Sequence, residues 1–478
     1  MSGSRNAGTV PMRIGADRVV THDTIEVRSP YDDRLLATVP RGGREHIDTA
    51  VAAALARHRE GALPAHERAT ILERAAARLR ERTEEFARLI SDEAAKPIKT
   101  ARIEAARAVD TMTFSAAVAR TATSEVIPLD ASAPGAGKLG FVLRVPVGVV
   151  GAISPFNFPL NLVCHKVGPA IAAGCPVVLK PASATPMSAL ALADLLLDEC
   201  GLPDGWLNVV TCPGSVANRL AEHPDVAMIT FTGSSSVGWG LRADAPRKKV
   251  SLELGNNAPV VIEPDSDWRT AAAKIKVAGF SHAGQSCIST QRIYVHRSIA
   301  DAFVAALVTE VQTLAVGDPA DDDTDVSALI DRDNTERVAS WIEDAVGEGA
   351  TIATGGRVEG RLLLPTVLTG VTPDMKVCSQ EVFGPVVGVQ VYDEYADALR
   401  LADDSAYGLQ AAVFTRDIGK ALQAAHSLHY GGVLVNEVPT WRADQMPYGG
   451  GRESGNTREG PAYAVREMTE ERLVVIQP

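Results

Sequence analysis

A block of basic residues is missing from this chain: 47 Lys and Arg stand against 59 Asp and Glu, for a formal charge of -12 and a pI near 5.4. Nucleic acid is held by clustered cations, so an acidic chain without such a cluster excludes it as a default partner. A small anionic substrate stays open, because it responds to local charge. Long apolar runs are missing as well. Residues 145–153 are hydrophobic but far short of the roughly 20 that cross a bilayer, and Met1-Ser2-Gly3-Ser4-Arg5 leads into no apolar secretory segment. Cysteine is scarce: Cys164, Cys175, Cys200, Cys212, Cys287 and Cys378 have neither disulfide-scaffold density nor close metal-ligand spacing. Most are expected to be buried small hydrophobes in a reducing compartment. These absences together describe a soluble cytoplasmic protein with no membrane partner, and no internal repeat or low-complexity stretch complicates that reading.

What is present is enough apolar sequence, 46% of 478 residues, for about three units of roughly 150 residues each, not necessarily sequential. Residues 46–118 read helical, with Leu72, Ala75, Leu79, Phe86, Leu89 and Ile90 on one face and Pro97 as an interruption. Between 124 and 154 short β-prone runs flank Gly135-Ala136-Gly137, predicting a hairpin that leads into a core strand. Apolar strands then alternate with helices: strands near 177–179, 207–210 and 228–231, with helices at 162–173 and 188–199. A second series has strands near 260–262 and 292–295, helices at 268–278 and 299–311, and later strands at 387–391, 410–414 and 433–435. Such alternation predicts an α/β fold of largely parallel sheets covered on both faces. Gly317-Asp318-Pro319 reads as a surface connection, and the β-like 472–476 segment as a strand added to an exposed sheet, one in another subunit included.

Phosphate binding is the first chemistry to emerge. Phe231-Thr232-Gly233-Ser234-Ser235-Ser236-Val237-Gly238 follows a β-like run and can open a helix, where glycines permit close approach and free amides meet an anion. It departs from Gly-x-Gly-x-x-Gly, and alone a small-residue turn explains it. Leu179-Lys180-Pro181-Ala182-Ser183 ends another β run: Lys180 can reach an adenosine ribose, and Ser183 a hydroxyl or a 2′-phosphate. An acid there would repel that extra phosphate; Ser183 does not, so NAD and NADP both remain open.

Carbonyl chemistry is the second. Cys287 closes Gly284-Gln285-Ser286-Cys287, Asn157 lies in Pro155-Phe156-Asn157-Phe158-Pro159, and Glu253 opens Glu253-Leu254-Gly255. Each has an ordinary structural reading. Together they supply a nucleophile, an amide that with the Cys287 N–H stabilises an oxyanion, and a carboxylate that activates water. The cycle is a thiohemiacetal, hydride loss to a nicotinamide, a thioester, and hydrolysis to a carboxylic acid, with no metal required. In Glu381-Val382-Phe383-Gly384-Pro385, Glu381 can hold the nicotinamide ribose and Phe383 pack on its ring.

These motifs, with Met446-Pro447-Tyr448-Gly449-Gly450, make the chain resemble the aldehyde dehydrogenase superfamily over nearly its full length. The resemblance implies a Rossmann-like cofactor domain from 1–124 and 145–252, a catalytic domain from 253–440, a β bridging element from 125–144 and 465–478, and a connecting active-site segment at 441–464. It implies a homodimer or homotetramer. It extends the expected cofactor contacts to Ile153, Ser154, Pro155, Phe156, Phe231, Thr232, Gly233, Ser234, Val237, Leu254 and Gly255. Departures from the family pattern are Asn256 where a second glycine is usual, Arg452 for lysine and Thr457 for glycine, which put loop geometry in question.

The segments Pro159-Leu160-Asn161-Leu162-Val163-Cys164-His165-Lys166 and Pro439-Thr440-Trp441-Arg442 resemble the lactaldehyde, phosphonoacetaldehyde and non-phosphorylating glyceraldehyde-3-phosphate subgroup. Ser286 stands where some relatives that use phosphonate or phosphate substrates place arginine, so that anion clue is absent. Substrate contacts are expected from Phe158, Arg107, His165, Ser286, Ile288 and Trp441. A small polar or hydroxylated aldehyde is favoured. The alternatives are an aromatic aldehyde, CoA in place of water as acyl acceptor, and an inactive cofactor-binding structural protein.

Overall fold

Alternating apolar runs became two seven-stranded sheets in the computed structural model, which describes residues 8–478. Met1 to Arg5 and the first residues of the 1–124 segment lie outside the described residues. In the first sheet the strand order is Lys249–Glu253, Val226–Thr232, Val149–Ile153, Val177–Lys180, Leu207–Val209, Met12–Ile14 and Asp17–Val19. The five strands from Lys249–Glu253 through Leu207–Val209 run parallel, and the two N-terminal strands add antiparallel. Those short N-terminal strands have no counterpart in the sequence reading: three residues give periodicity too little to act on. All five residues of Val149–Ile153 are buried, as a strand covered on both faces requires.

The second sheet orders Thr351–Thr354, Thr366–Thr369, Val386–Tyr392, Thr290–His296, Ala258–Ile262, Gln410–Phe414 and Gly432–Val435, parallel except at its first pair. The 46–118 region is four helices rather than two, Arg44–Glu60, Ala65–Glu81, Thr83–Ala94 and Ile98–Thr121. Gly61 and Pro64 make the first break, and Ala95, at φ 48°, ends the third helix ahead of Pro97. Phe86, Leu72 and Leu79 are buried from that face, each contributing roughly 1.5–3 kcal/mol of transfer free energy. The expected 188–199 helix begins at Met187 as an α-helix and finishes as a π-turn, Leu195–Glu199.

The terminal strand joins a sheet as expected, and the 317–319 connection departs from its surface reading at one residue. The terminal strand, Thr469–Ile476, pairs antiparallel with Leu139–Pro146 of the same chain in a three-stranded sheet with Val126–Ile127, so its ladder is satisfied within the subunit on one edge. Asp318 is exposed, as a surface connection requires, while Pro319 is buried: its carbonyl accepts from Ile98 N at 2.8 Å and Ser91 Oγ at 3.3 Å, tying the connection to the helical layer.

Candidate active site

Four motif residues end neighbouring strands of the first sheet. Ile153 pairs with Lys180 and with Phe231, and Thr232 pairs with Glu253, so their carboxyl ends open on one side, where open α/β sheets bind ligands. A cleft of about 790 Å³ lies there, lined by Cys287, Asn157 and Glu253 together with all the expected cofactor residues, from Ile153, Ser154, Pro155 and Phe156 through Lys180, Ser183, Phe231, Thr232, Gly233, Ser234, Val237, Leu254 and Gly255 to Glu381 and Phe383. Arg337, Asn218 and Asp244 line it too and went unread in the sequence.

The glycines have geometric reasons. A Cβ on Gly233 would meet the Phe231 ring at 2.6 Å, and one on Gly255 would meet the Glu381 carboxylate at 2.4 Å. Helix Ser235–Asp244 starts beside this turn without a side-chain cap, leaving its first N–H groups for a ligand. Lys180 is buried, bonds only Ser183 Oγ at 3.4 Å, and has no carboxylate partner among the described residues; burial pushes its pKa down. A buried cation without a counter-ion, an uncapped helix start and apolar walls fit a dinucleotide. Ser183 donates to Cys212 O at 3.0 Å rather than capping a helix.

His282, Ala283 and Gly284 enter the cysteine turn with φ of 50°, 52° and 70°. Left-handed backbone costs roughly 1–2 kcal/mol at each non-glycine residue, and packing maintains it: a Cβ on Gly284 would overlap Gly384 O at 2.1 Å. The Cys287 and Glu381 motifs are therefore interlocked. Cys287 Sγ lies 2.8 Å from the Tyr448 hydroxyl. Burial pushes the thiol up to about 12, Tyr448 and Arg442 pull it down, and Glu381 and Glu253 oppose its ionisation.

Asn157 Nδ2 donates to Gln285 O at 2.8 Å, two residues before the thiol, which leaves the amide a second N–H. The Asn157 backbone carbonyl accepts from Lys96 Nζ at 2.6 Å, and Lys96 pairs with Glu104 at 2.5 Å. Glu253 is buried, and both its oxygens lack hydrogen-bond partners among the described residues. Burial first, then the charge of Glu459, holds its pKa well above the carboxylate range. Glu381 is pushed up to about 7 by burial, against a hydrogen bond from Asn256 N at 3.0 Å. Asn256 is not among the residues at positive φ and its side chain donates to Gln410 O at 3.1 Å, so the missing glycine needs no left-handed backbone.

The expected substrate residues scatter. Ile288 packs with Leu409, Tyr448, Met446 and Cys287; Phe158 lies under Lys96, whose Nζ is 3.7 Å from its ring centroid; Ser286 Oγ is 3.5 Å from Ile288 N. Trp441 is 52% exposed and does not line the cleft. His165 and Arg107 converge on Asp444, at 2.9 Å and 2.8 Å, and Arg442 bridges His165 at 3.2 Å and Glu459 at 3.1 Å. Lys166 lies 3.5 Å from Glu459. Against the upward push of burial, Lys166 and Arg442 hold Glu459 low, and His165 and Arg107 do the same for Asp444. This buried charged cluster, with Arg442 stacked 3.8 Å from the Tyr448 ring centroid, was not recognised as a site in the sequence, although Tyr448 and Arg442 both sit in segments that resembled relatives.

A parallel sheet whose strand ends face a cysteine-bearing turn across a dinucleotide-sized cleft places the protein among NAD(P)-dependent oxidoreductases that work through a catalytic cysteine. More narrowly, the chain belongs to the aldehyde dehydrogenase family, whose model matches residues 19–474. It is 46% identical to a 3-sulfolactaldehyde dehydrogenase of Priestia megaterium over 458 residues, 95% of each chain. A lactaldehyde dehydrogenase of Methanococcus aeolicus is 37% identical over 463 residues, 96% of this chain and 98% of that one. Among solved structures, aldehyde dehydrogenase 21 of Physcomitrella patens, in complex with the reaction product succinate, superposes with a TM-score of 0.95 at 37% identity over 99% of both chains. Among the described residues no group of His, Cys, Asp or Glu is arranged to hold a metal, and no helix is long and apolar enough to cross a membrane.

Proposed function

We propose that this enzyme oxidises a small aldehyde carrying a hydroxyl or anionic group to its carboxylic acid, with Cys287 as nucleophile, Asn157 as oxyanion donor and Glu253 as general base. The observation that carries the reading is the convergence of all three on the cleft that the expected cofactor residues line. Cys287 adds to the carbonyl carbon, and the Asn157 amide with the Cys287 N–H receives the charge that moves onto oxygen. Bound nicotinamide supplies the hydride acceptor. Lys180 and Ser183 hold the adenosine end and Glu381 the nicotinamide ribose. Glu253, desolvated and without a hydrogen-bond partner among the described residues, takes the proton from the water that cleaves the thioester.

The substrate class is supported by the relatives: the sulfolactaldehyde and lactaldehyde dehydrogenases are named for hydroxylated aldehydes, and the solved relative holds the anionic reaction product succinate. The charged cluster of Arg442, His165, Arg107 and Asp444 lies outside the cleft lining and adds no substrate contact. Trp441, exposed, gives an aromatic aldehyde no wall. The remaining assignments are a cofactor domain from 1–124 and 145–252, a catalytic domain from 253–440, a homodimer or homotetramer bridged by 125–144 and 465–478, and a cytoplasmic setting without membrane or nucleic-acid partners.

A panel of lactaldehyde, 3-sulfolactaldehyde, succinic semialdehyde and benzaldehyde, each with NAD and with NADP, is the test. Highest kcat/KM is expected on an anionic or hydroxylated member, with abolition by Cys287→Ala while cofactor still binds. Benzaldehyde as the best substrate would overturn the class, turnover surviving Cys287→Ala the mechanism, and acyl-CoA as product when CoA is added the choice of water as acceptor.

A further inference from the structure

We propose that Tyr448 is a fourth catalytic residue, whose phenol O–H donates to the sulfur of Cys287 and stabilises the thiolate before it attacks. The proposal rests on Cys287 being the nucleophile, and deepens that reading by naming what makes the sulfur ionise.

The geometry is specific. The hydroxyl oxygen is 2.8 Å from Sγ, a direct hydrogen-bond contact. Of the two groups the phenol is the better donor, so once the thiol loses its proton the bond runs from oxygen to sulfur. Tyr448 is 3% exposed and has little freedom to turn away. Its backbone exchanges two hydrogen bonds with Glu459, at 3.1 Å and 2.5 Å; Glu459 pairs with Arg442 at 3.1 Å; and the Arg442 guanidinium stacks back on the Tyr448 ring at 3.8 Å. That closed arrangement fixes the hydroxyl and sets a positive charge against the ring, which makes the O–H more acidic and a stronger donor.

The sulfur needs such a donor. It is largely enclosed, and of the charged groups facing it Glu253 and Glu381 oppose ionisation while only Arg442 favours it. Glu253, Arg442 and Cys287 are also the groups that face Tyr448. In the step proposed, the thiol proton leaves to solvent and the phenol keeps its own. The sulfur lone pair then forms the C–S bond, the carbonyl π pair moves to oxygen, and the hydrogen bond to sulfur weakens as its charge is spent.

The test is the rate of Cys287 alkylation by iodoacetamide on the full-length protein from about pH 5.5 to 10, read by peptide mass spectrometry at that residue; this window lies below the raised thiol pKa, so the rate climbs with the thiolate fraction and the displacement of the rate–pH line along the pH axis gives the shift of the titration midpoint. Tyr448→Phe removes one oxygen from a buried ring. It is expected to raise the titration midpoint by about one unit and slow alkylation at neutral pH roughly tenfold, as losing a charge-assisted hydrogen bond should. In the steady state the same variant loses kcat/KM at neutral pH and regains it as pH rises, with cofactor KM unmoved. Placing 3-fluorotyrosine at position 448 makes the phenol a stronger donor and should shift the midpoint down, a second arm that stands even if the Phe variant fails to fold. An unchanged midpoint in either folded protein overturns the proposal. So does a midpoint lowered by Tyr448→Phe, the sign of a thiol donating to the phenol oxygen. These outcomes are separate from turnover in Cys287→Ala, whose survival would remove the nucleophilic role and leave the titration to report the pairing alone.

Discussion

Two desolvated carboxyls on the cleft, Glu253 and Glu381, carry separate tasks, and their surroundings give each its own pH signature. Glu381 is pushed up to about 7 by burial, so below that pH it is largely a neutral acid and above it a carboxylate able to accept from ribose hydroxyls. Cofactor affinity is therefore expected to rise through about pH 7, with cofactor KM falling as pH increases, and Glu381→Gln should flatten that dependence. Titration calorimetry with NAD and NADP at several pH values checks it; an equally steep dependence in the Gln variant would remove Glu381 from the ribose. Glu253 is raised by burial and by Glu459, so its base form grows as pH climbs above the ordinary carboxylate range. Thioester hydrolysis should accelerate over that climb. Glu253→Gln should leave the first burst of NAD(P)H intact and slow steady turnover by about 10²-fold or more, the scale of a lost general base. Rapid-mixing kinetics separate the two phases, and normal acyl-enzyme decay in the variant would exclude the role.

At the scale of elements, a buried ion pair braces the oxyanion loop. Glu104, on helix Ile98–Thr121, accepts from Leu160 N at 3.0 Å and Asn161 N at 3.1 Å, capping helix Asn161–Ala173 from outside, while its partner Lys96 holds the Asn157 carbonyl. Glu104→Ala strands the Lys96 ammonium, which is fully buried, and leaves a helix start uncapped; a loss of about 3–5 kcal/mol in denaturant unfolding is expected, as for other broken buried pairs. Loss below about 1 kcal/mol would mean that water replaces the carboxylate. The sequence could not announce this brace. Strand ends such as Ile153, Lys180 and Glu253 were legible because an apolar run followed by a polar turn is local information, and the parallel sheet then aligns such ends by itself. Helix Asn161–Ala173 shows the limit: all 13 residues are buried, His165 and Lys166 included, and nothing local to the helix says which groups they meet. Their partners Asp444 and Glu459 are nearly 300 residues away, His165 and Asp444 being 279 positions apart, a separation that no period or motif spans.

The whole molecule leaves one sheet unfinished. Thr469–Ile476 and Leu139–Pro146 pair along their full length, but the free edge of the terminal strand has no partner among the described residues, and Leu473 at 56% and Val475 at 47% exposure share one of its faces. Val126, Leu139 and Leu143 are exposed on the neighbouring strands. An apolar strand with an open edge is a template for pairing, and a stable protein must cover or charge it. A second copy is the expected cover, because the same strand of another chain can pair on the open edge and shield Leu473 and Val475. Light scattering on the native protein should give a multiple of the 50.5 kDa chain mass. Leu473→Glu with Val475→Glu keeps the backbone ladder to Leu139–Pro146 but places two charges on the exposed face, and should shift the mass toward a single chain without lowering the unfolding midpoint of the remainder by more than a few degrees. Deleting 469–478 should do the same at greater cost, since Leu139–Pro146 then loses its partner. An oligomer untouched by the paired charges would place the subunit contact elsewhere and leave this sheet a bridge within one chain.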